Sequence, residues 1–197
     1  MNTRELVQVP SFRGYKGATL HLDINAEEHE RRQAAGLGAI HRIGLLHALL
    51  TLPAGMPVQE AQLALRDRAH VRRAPAGIVD RAHGMVTRQA VRPCRITLAT
   101  VRTATCSKTA LESAGRFAPM CARAVIARIR PAMPETLIEF DFWGVGIYLE
   151  HPDGVLETLV EPAPWVPKRH TPAGWSFTEQ AYAAYLTRTA TPERTRT

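Results

Sequence analysis

Three sets of side chains in this sequence have the types and spacing to do chemistry. The largest is a run of arginines, Arg66, Arg68, Arg72, Arg73, Arg81, Arg88, Arg92 and Arg95, interrupted by only Asp67 and Asp80 among acidic residues. A guanidinium group is planar, always charged and forked to match phosphate oxygens. Arginines on one face would hold a nucleic-acid backbone, giving affinity without reading base sequence. The second set is Cys106 with Lys108 beside it. A thiol between a strand and a helix N-terminus, near a cation, has its pKa lowered and suits a nucleophile. No base is placed next to it by the sequence, and an inert cap residue is the plainer reading. The third set is Glu139 and Asp141. On one strand face, two such carboxylates can share a divalent cation, although solvent-facing acids on a hairpin are the ordinary case.

Other chemistries lack their signatures. There is no GxxxxGK[ST], GxSxG or GxGxxG, so phosphate-cradling and nucleophile-elbow motifs are missing. The eight histidines have no ligand spacing, and the sequence gives no reason to expect zinc or any other cofactor. Three cysteines, Cys94, Cys106 and Cys121, are odd in number and widely spaced, which fits reduced thiols in a cytoplasm. The N-terminus has no apolar leader segment. The longest apolar run, 34–52, is broken by His41, Arg42 and His47, which argues against a membrane span.

Charge is unevenly laid out. Of 25 basic side chains, 22 are Arg and 3 are Lys, a bias that GC-rich codons would also produce. Residues 65–102 hold nine Arg against two Asp, and residues 103–130 five basic groups against one Glu. Residues 131–167 hold seven acidic groups and no Lys or Arg. A basic block of +11 is thus followed by an acidic one of −7, an argument about partners and not about fold.

The elements that would position these groups read as follows. The 137–161 stretch predicts a hairpin around Pro152-Asp-Gly154, with strand apolar parity switching near Trp143 and a β-bulge at Trp143-Gly144. Val7 to Ile24 predicts one or two strands turning at Gly14 and Gly17. Asn25 with Glu28 predicts a capped helix running to about Leu50. Helices follow over 58–69 and 78–88, a pair that resembles a helix-turn-helix in outline only. Residues 96–103 predict a strand, 108–117 a helix capped by Ser107 or Thr105, and 120–130 a helix in preference to a strand. Prolines from Pro162 to Pro172 predict an extended connector, and Ser176 with Glu179 a capping box for a helix to about Thr187.

Taken together, the sequence predicts one α+β domain over 1–188 and a disordered tail over 189–197. Its fold would be a small antiparallel sheet around the 137–161 hairpin, with four or five helices packed on one face. The functional expectation is a cytoplasmic nucleic-acid-binding or regulatory accessory protein acting through the Arg-rich segment, rather than an enzyme. The alternatives are an interaction or homo-oligomerisation module with complementary basic and acidic faces, and a cysteine enzyme using Cys106.

Overall fold

The computed structural model describes residues 3–9 and 17–190. Within the span read from sequence as one domain, the chain packs as two compact units. Among the described residues, one comprises residues 3, 24–95 and 168–190, and the other residues 4–9, 17–23 and 96–167. The expected turn residue Gly14 and tail residues 191–197 lie outside the described residues.

The second unit is built on a six-stranded sheet of order β1-β2-β6-β7-β8-β9. Its strands are β1 (Thr3–Val9), β2 (Ala18–Ile24), β6 (Cys94–Thr103), β7 (Ala122–Ala127), β8 (Val145–Glu150) and β9 (Leu156–Val160). β2 alternates as its sequence predicts, burying Ala18, Leu20, Leu22 and Ile24. The pairings β6–β7 and β7–β8 are parallel and β8–β9 is antiparallel. The sheet is therefore mixed, not the small antiparallel sheet expected, because parallel neighbours need crossovers. Helices α4 (Lys108–Gly115) and α5 (Pro134–Phe142) supply them. Both pack on one face: Ala110, Leu111 and Ala114 of α4 and Phe140 of α5 share a core with Val125, Val145, Ile147 and Val160.

Three further sequence expectations fail in this unit: the strand at 137–142, the bulge at Trp143-Gly144 and the helix over 120–130. Residues 137–142 are not the first hairpin strand but the end of α5, which starts on Pro134 with Glu135 in its first turn, both favourable at a helix N-terminus. The parity switch at Trp143 marks the helix end: Gly144 has φ 64° and follows the C-cap Trp143, the left-handed position glycine takes there. The bulge lies instead between Ile147 and Tyr148. A Cβ on Gly146 would sit 2.8 Å from the Pro162 ring, so the chain itself makes the close approach. Residues 122–127 form a strand, buried on both faces at Ala124, Val125, Ile126 and Ala127, where continuous burial replaces alternation.

The first unit contains α1 (Ala26–Ala34), α2 (Ile43–Leu50), α3 (Leu65–Arg72), α6 (Pro172–Ala190) and a three-stranded antiparallel sheet. That sheet runs β3 (Pro57–Gln59), β5 (Met85–Arg88), β4 (Val79–Ala82). The expected helix at 78–88 is thus a hairpin, closed by His83 and Gly84 at φ 49° and 76°, positive at both positions as a type I′ connection requires. The expected helix at 58–69 is a short strand and a 3-10 turn before α3. Asn25 does cap α1, its side chain accepting from the Glu28 N–H at 3.2 Å. The helix to Leu50 is broken, however, by Gly36 at φ 64°. α6 starts at Pro172, with the Thr171 hydroxyl accepting the Gly174 N–H, so Ser176 and Glu179 are helix interior and not its cap.

Glu179 has a larger role. It grips the Arg32 guanidinium through two bonds of 2.7 and 2.8 Å, and accepts the Ile40 N–H at 2.8 Å and the Trp175 indole N–H at 2.9 Å. Arg32 also bonds Glu28 and the carbonyls of Gly38 and Val91. Arg32 and Glu179 are 1% and 0% exposed. Burial pulls the Arg32 pKa down, but Glu179 and Glu28 outweigh it and hold the group above its usual value. Removing one member of such a pair leaves a buried charge unanswered, at about 3–5 kcal/mol. Glu179→Gln should lower stability by that amount in urea, followed at the buried Trp175. Arg130→Ala, at the exposed Glu157 contact, should cost below about 1 kcal/mol. Equal costs would show that the network does not hold this unit.

Candidate anion-binding face

Helices α2 and α3 lie side by side in opposite directions. Arg42, ahead of α2, donates to the carbonyl of Arg73 at the end of α3 at 2.7 Å. The His70 ring covers Gly44 so closely that a Cβ there would meet it at 2.4 Å. Further along, His47 Nδ1 lies 3.2 Å from Asp67 Oδ1, and its Nε2 lies 3.3 Å from the Arg66 guanidinium. The same guanidinium lies 3.3 Å from His47 Nδ1 as well, and its Nε lies 3.7 Å from Asp67 Oδ1. The seam presents exposed Arg42, Arg66 and Arg73 with His47 and His70, against one buried carboxylate, Asp67.

Four of the other predicted arginines, Arg68, Arg72, Arg81 and Arg88, are engaged within the chain. Arg72 and Arg81 close on Glu60 at 2.5 and 3.1 Å, and the Arg72 hydrogen bond leads in holding its carboxyl below the usual range. Arg68 donates to the carbonyls of Ala61 and Leu63. Arg88 donates to the Leu49 carbonyl and lies 5.5 Å over the Trp175 ring. Burial lowers the pKa of Arg88 and of Arg92, the latter with Arg88 adding repulsion. Arg95 is exposed at the start of β6. The eight arginines are thus not one surface. Arg66 and Arg73 belong to the seam, while Arg42, His47 and His70 join it from outside the predicted set. The missing side chain at Gly44 is what leaves room for the His70 ring.

The acidic hairpin takes different arginines. Glu150 meets Arg102 and Arg128, and Glu157 meets Arg130 at 2.5 Å and His151 at 3.0 Å. Glu139 and Asp141 stand two positions apart on α5, and helical residues so spaced do not face each other. The shared-cation geometry is therefore lost. Among the described residues no group of three or more His, Cys, Asp or Glu could hold a metal ion. Cys106 does precede α4, whose N-cap Ser107 accepts the Ala110 N–H at 3.3 Å. Burial nevertheless pushes its thiol up, opposite to the shift an attacking thiolate needs. Cys94 and Cys121 are pushed up to about 12 by burial. No helix of the described residues is long and apolar enough to cross a membrane.

Comparison with family models, curated proteins and solved structures found no match.

Two outcomes follow from these shifts. Maleimide labelling of Cys106 should keep accelerating with pH through about 8.5, the ordinary thiol value; a rate that levels off near pH 6 would mark an activated thiol. Glu60, with its folded pKa depressed, contributes stability above the unfolded carboxylate value that is lost as pH falls through the folded one. The melting temperature should therefore drop on acidification below about pH 4.3, and by less in Glu60→Gln. An identical acid profile in that variant would remove Glu60 from the account.

Proposed function

We propose that the chain binds nucleic acid without sequence preference, through the seam between α2 and α3. The observation that carries this reading is the local imbalance there: three exposed arginines and two imidazoles around one buried carboxylate. Guanidinium contacts to phosphate hold a nucleic-acid backbone without reading base sequence. The reading narrows the Arg-rich segment to Arg66 and Arg73 and adds Arg42. Affinity would be that of phosphate contacts alone, with Kd about 10⁻⁴–10⁻⁶ M at physiological salt. The oligomer alternative draws on the same charges, but Glu150 and Glu157 of its acidic side already pair with Arg102, Arg128 and Arg130 of the same chain.

Anisotropy titration of a labelled duplex at several salt concentrations tests this. Each neutralised phosphate contributes about 0.9 to the slope of log K against log salt. The triple variant Arg42→Gln, Arg66→Gln, Arg73→Gln should flatten that slope by up to about 2.7 and weaken binding at least about tenfold. Arg72→Gln with Arg81→Gln should leave both nearly unchanged. Binding that survives the triple variant with its slope intact would overturn the proposal.

A further inference from the structure

The second unit holds a cleft between α4 and α5 of about 630 Å³, within the size range of small-molecule sites, about 300–1,000 Å³. Its apolar floor includes Leu111 and Val145, and Trp143 forms a wall. Four charged side chains line it: Lys108 and Glu112 from α4, Arg123 from β7 and Glu139 from α5. Among the described residues none of the four forms an ion pair. Arg123 is fixed in place by donating to the Trp143 carbonyl at 2.5 Å, and its Nε is buried with no partner. Burial lowers its pKa. Charges of both signs around an apolar floor, with Lys108 and Glu112 one helical turn apart on α4, are complementary to a molecule that itself carries both signs. They disfavour a polyanion, which Glu112 and Glu139 would repel, and a purely apolar guest would leave the partnerless buried Nε of half-buried Arg123 unanswered.

We propose that this cleft binds a small aromatic zwitterion, a molecule with an ammonium and a carboxylate about a flat ring. The carboxylate lies toward Arg123 and Lys108, the ammonium toward Glu112 and Glu139, and the ring against Trp143, where an offset or edge-on aromatic contact is favoured. Gly115 lines the cleft, and a Cβ there meets nothing within 4 Å. The Cβ of Gly115→Leu therefore enters open space, and the added side chain serves to obstruct the cleft.

The test is a titration of the intact, ¹⁵N-labelled protein, followed at the Trp143 indole N–H. Glycyl-phenylalanine is the zwitterionic probe, and N-acetyl-phenylalanine and a doubly capped dipeptide are the controls. The expected result is a saturable shift with glycyl-phenylalanine that disappears in Gly115→Leu while the thermal melt of that variant is preserved. Glu139→Gln should weaken glycyl-phenylalanine about tenfold, equivalent to about 1.4 kcal/mol, and leave N-acetyl-phenylalanine unaffected. No saturable shift below about 10 mM, equal binding of the capped dipeptide, or a shift that persists in Gly115→Leu would each overturn the proposal. Because every readout lies in the second unit, failure here leaves the nucleic-acid reading standing, and the reverse holds too.

Discussion

The first unit depends on one buried contact, the Arg32–Glu179 pair. Two charges that leave water together must be answered completely, because any unanswered group in a low-dielectric interior costs several kcal/mol. Here each guanidinium and carboxylate atom engaged draws in another piece of chain. Glu28 comes from α1, Gly38 and Ile40 from the segment between helices, Val91 from the approach to β6, and Trp175 from α6. Segments up to 147 positions apart in sequence are thereby held to one register. Apolar burial alone would tolerate sliding, since it is non-directional. The pair supplies direction, and the core of Leu45, Leu46, Leu49, Val71, Val86 and Trp175 fills in beside it.

That fixed register is what gives α2 its place, and with it the seam against α3. α2 has no side-chain cap and is only eight residues long, too short to persist by propensity. It is held by its buried face and by α3 and α6 beside it. The polar edge left over carries Arg42, His47 and the residues they touch.

Parts of this were legible from sequence because they are local. Asn25 and Ser107 cap helices, β2 alternates, and Pro152-Asp-Gly154 turns between β8 and β9, since each needs only neighbours within a few residues. The misreadings came where two local patterns share residues. Leu137 to Phe142 alternates apolar and acidic like a strand, yet Pro134 and Glu135 open a helix and Gly144 closes it. Ser176 and Glu179 have capping-box spacing, but Glu179 is claimed by a partner far along the chain. His83-Gly84 turns a hairpin with an uncommon first residue. For the sites, composition marked a stretch of arginines but could not divide them, because the partners of several are backbone carbonyls and one distant glutamate.

That division follows a pattern. The last carbonyls of a helix have no intrahelical donor, and cations are favoured beside them. Arg88 donates to Leu49 at the end of α2, Arg42 to Arg73 after α3, and Arg123 to Trp143 after α5. In each case a guanidinium from elsewhere in the fold does what a local cap would otherwise do. An arginine has five donors and such a bond uses one, so the group is anchored without being exhausted. Arg42 at the seam and Arg123 in the cleft are both of this kind. A side chain pinned by a helix end keeps little rotamer freedom to lose on meeting an anion, which lowers the entropic cost of binding. Net charge counts all guanidinium groups alike. What differs among these helix-end arginines is exposure: Arg42 is exposed, while Arg88 and Arg123 are half-buried.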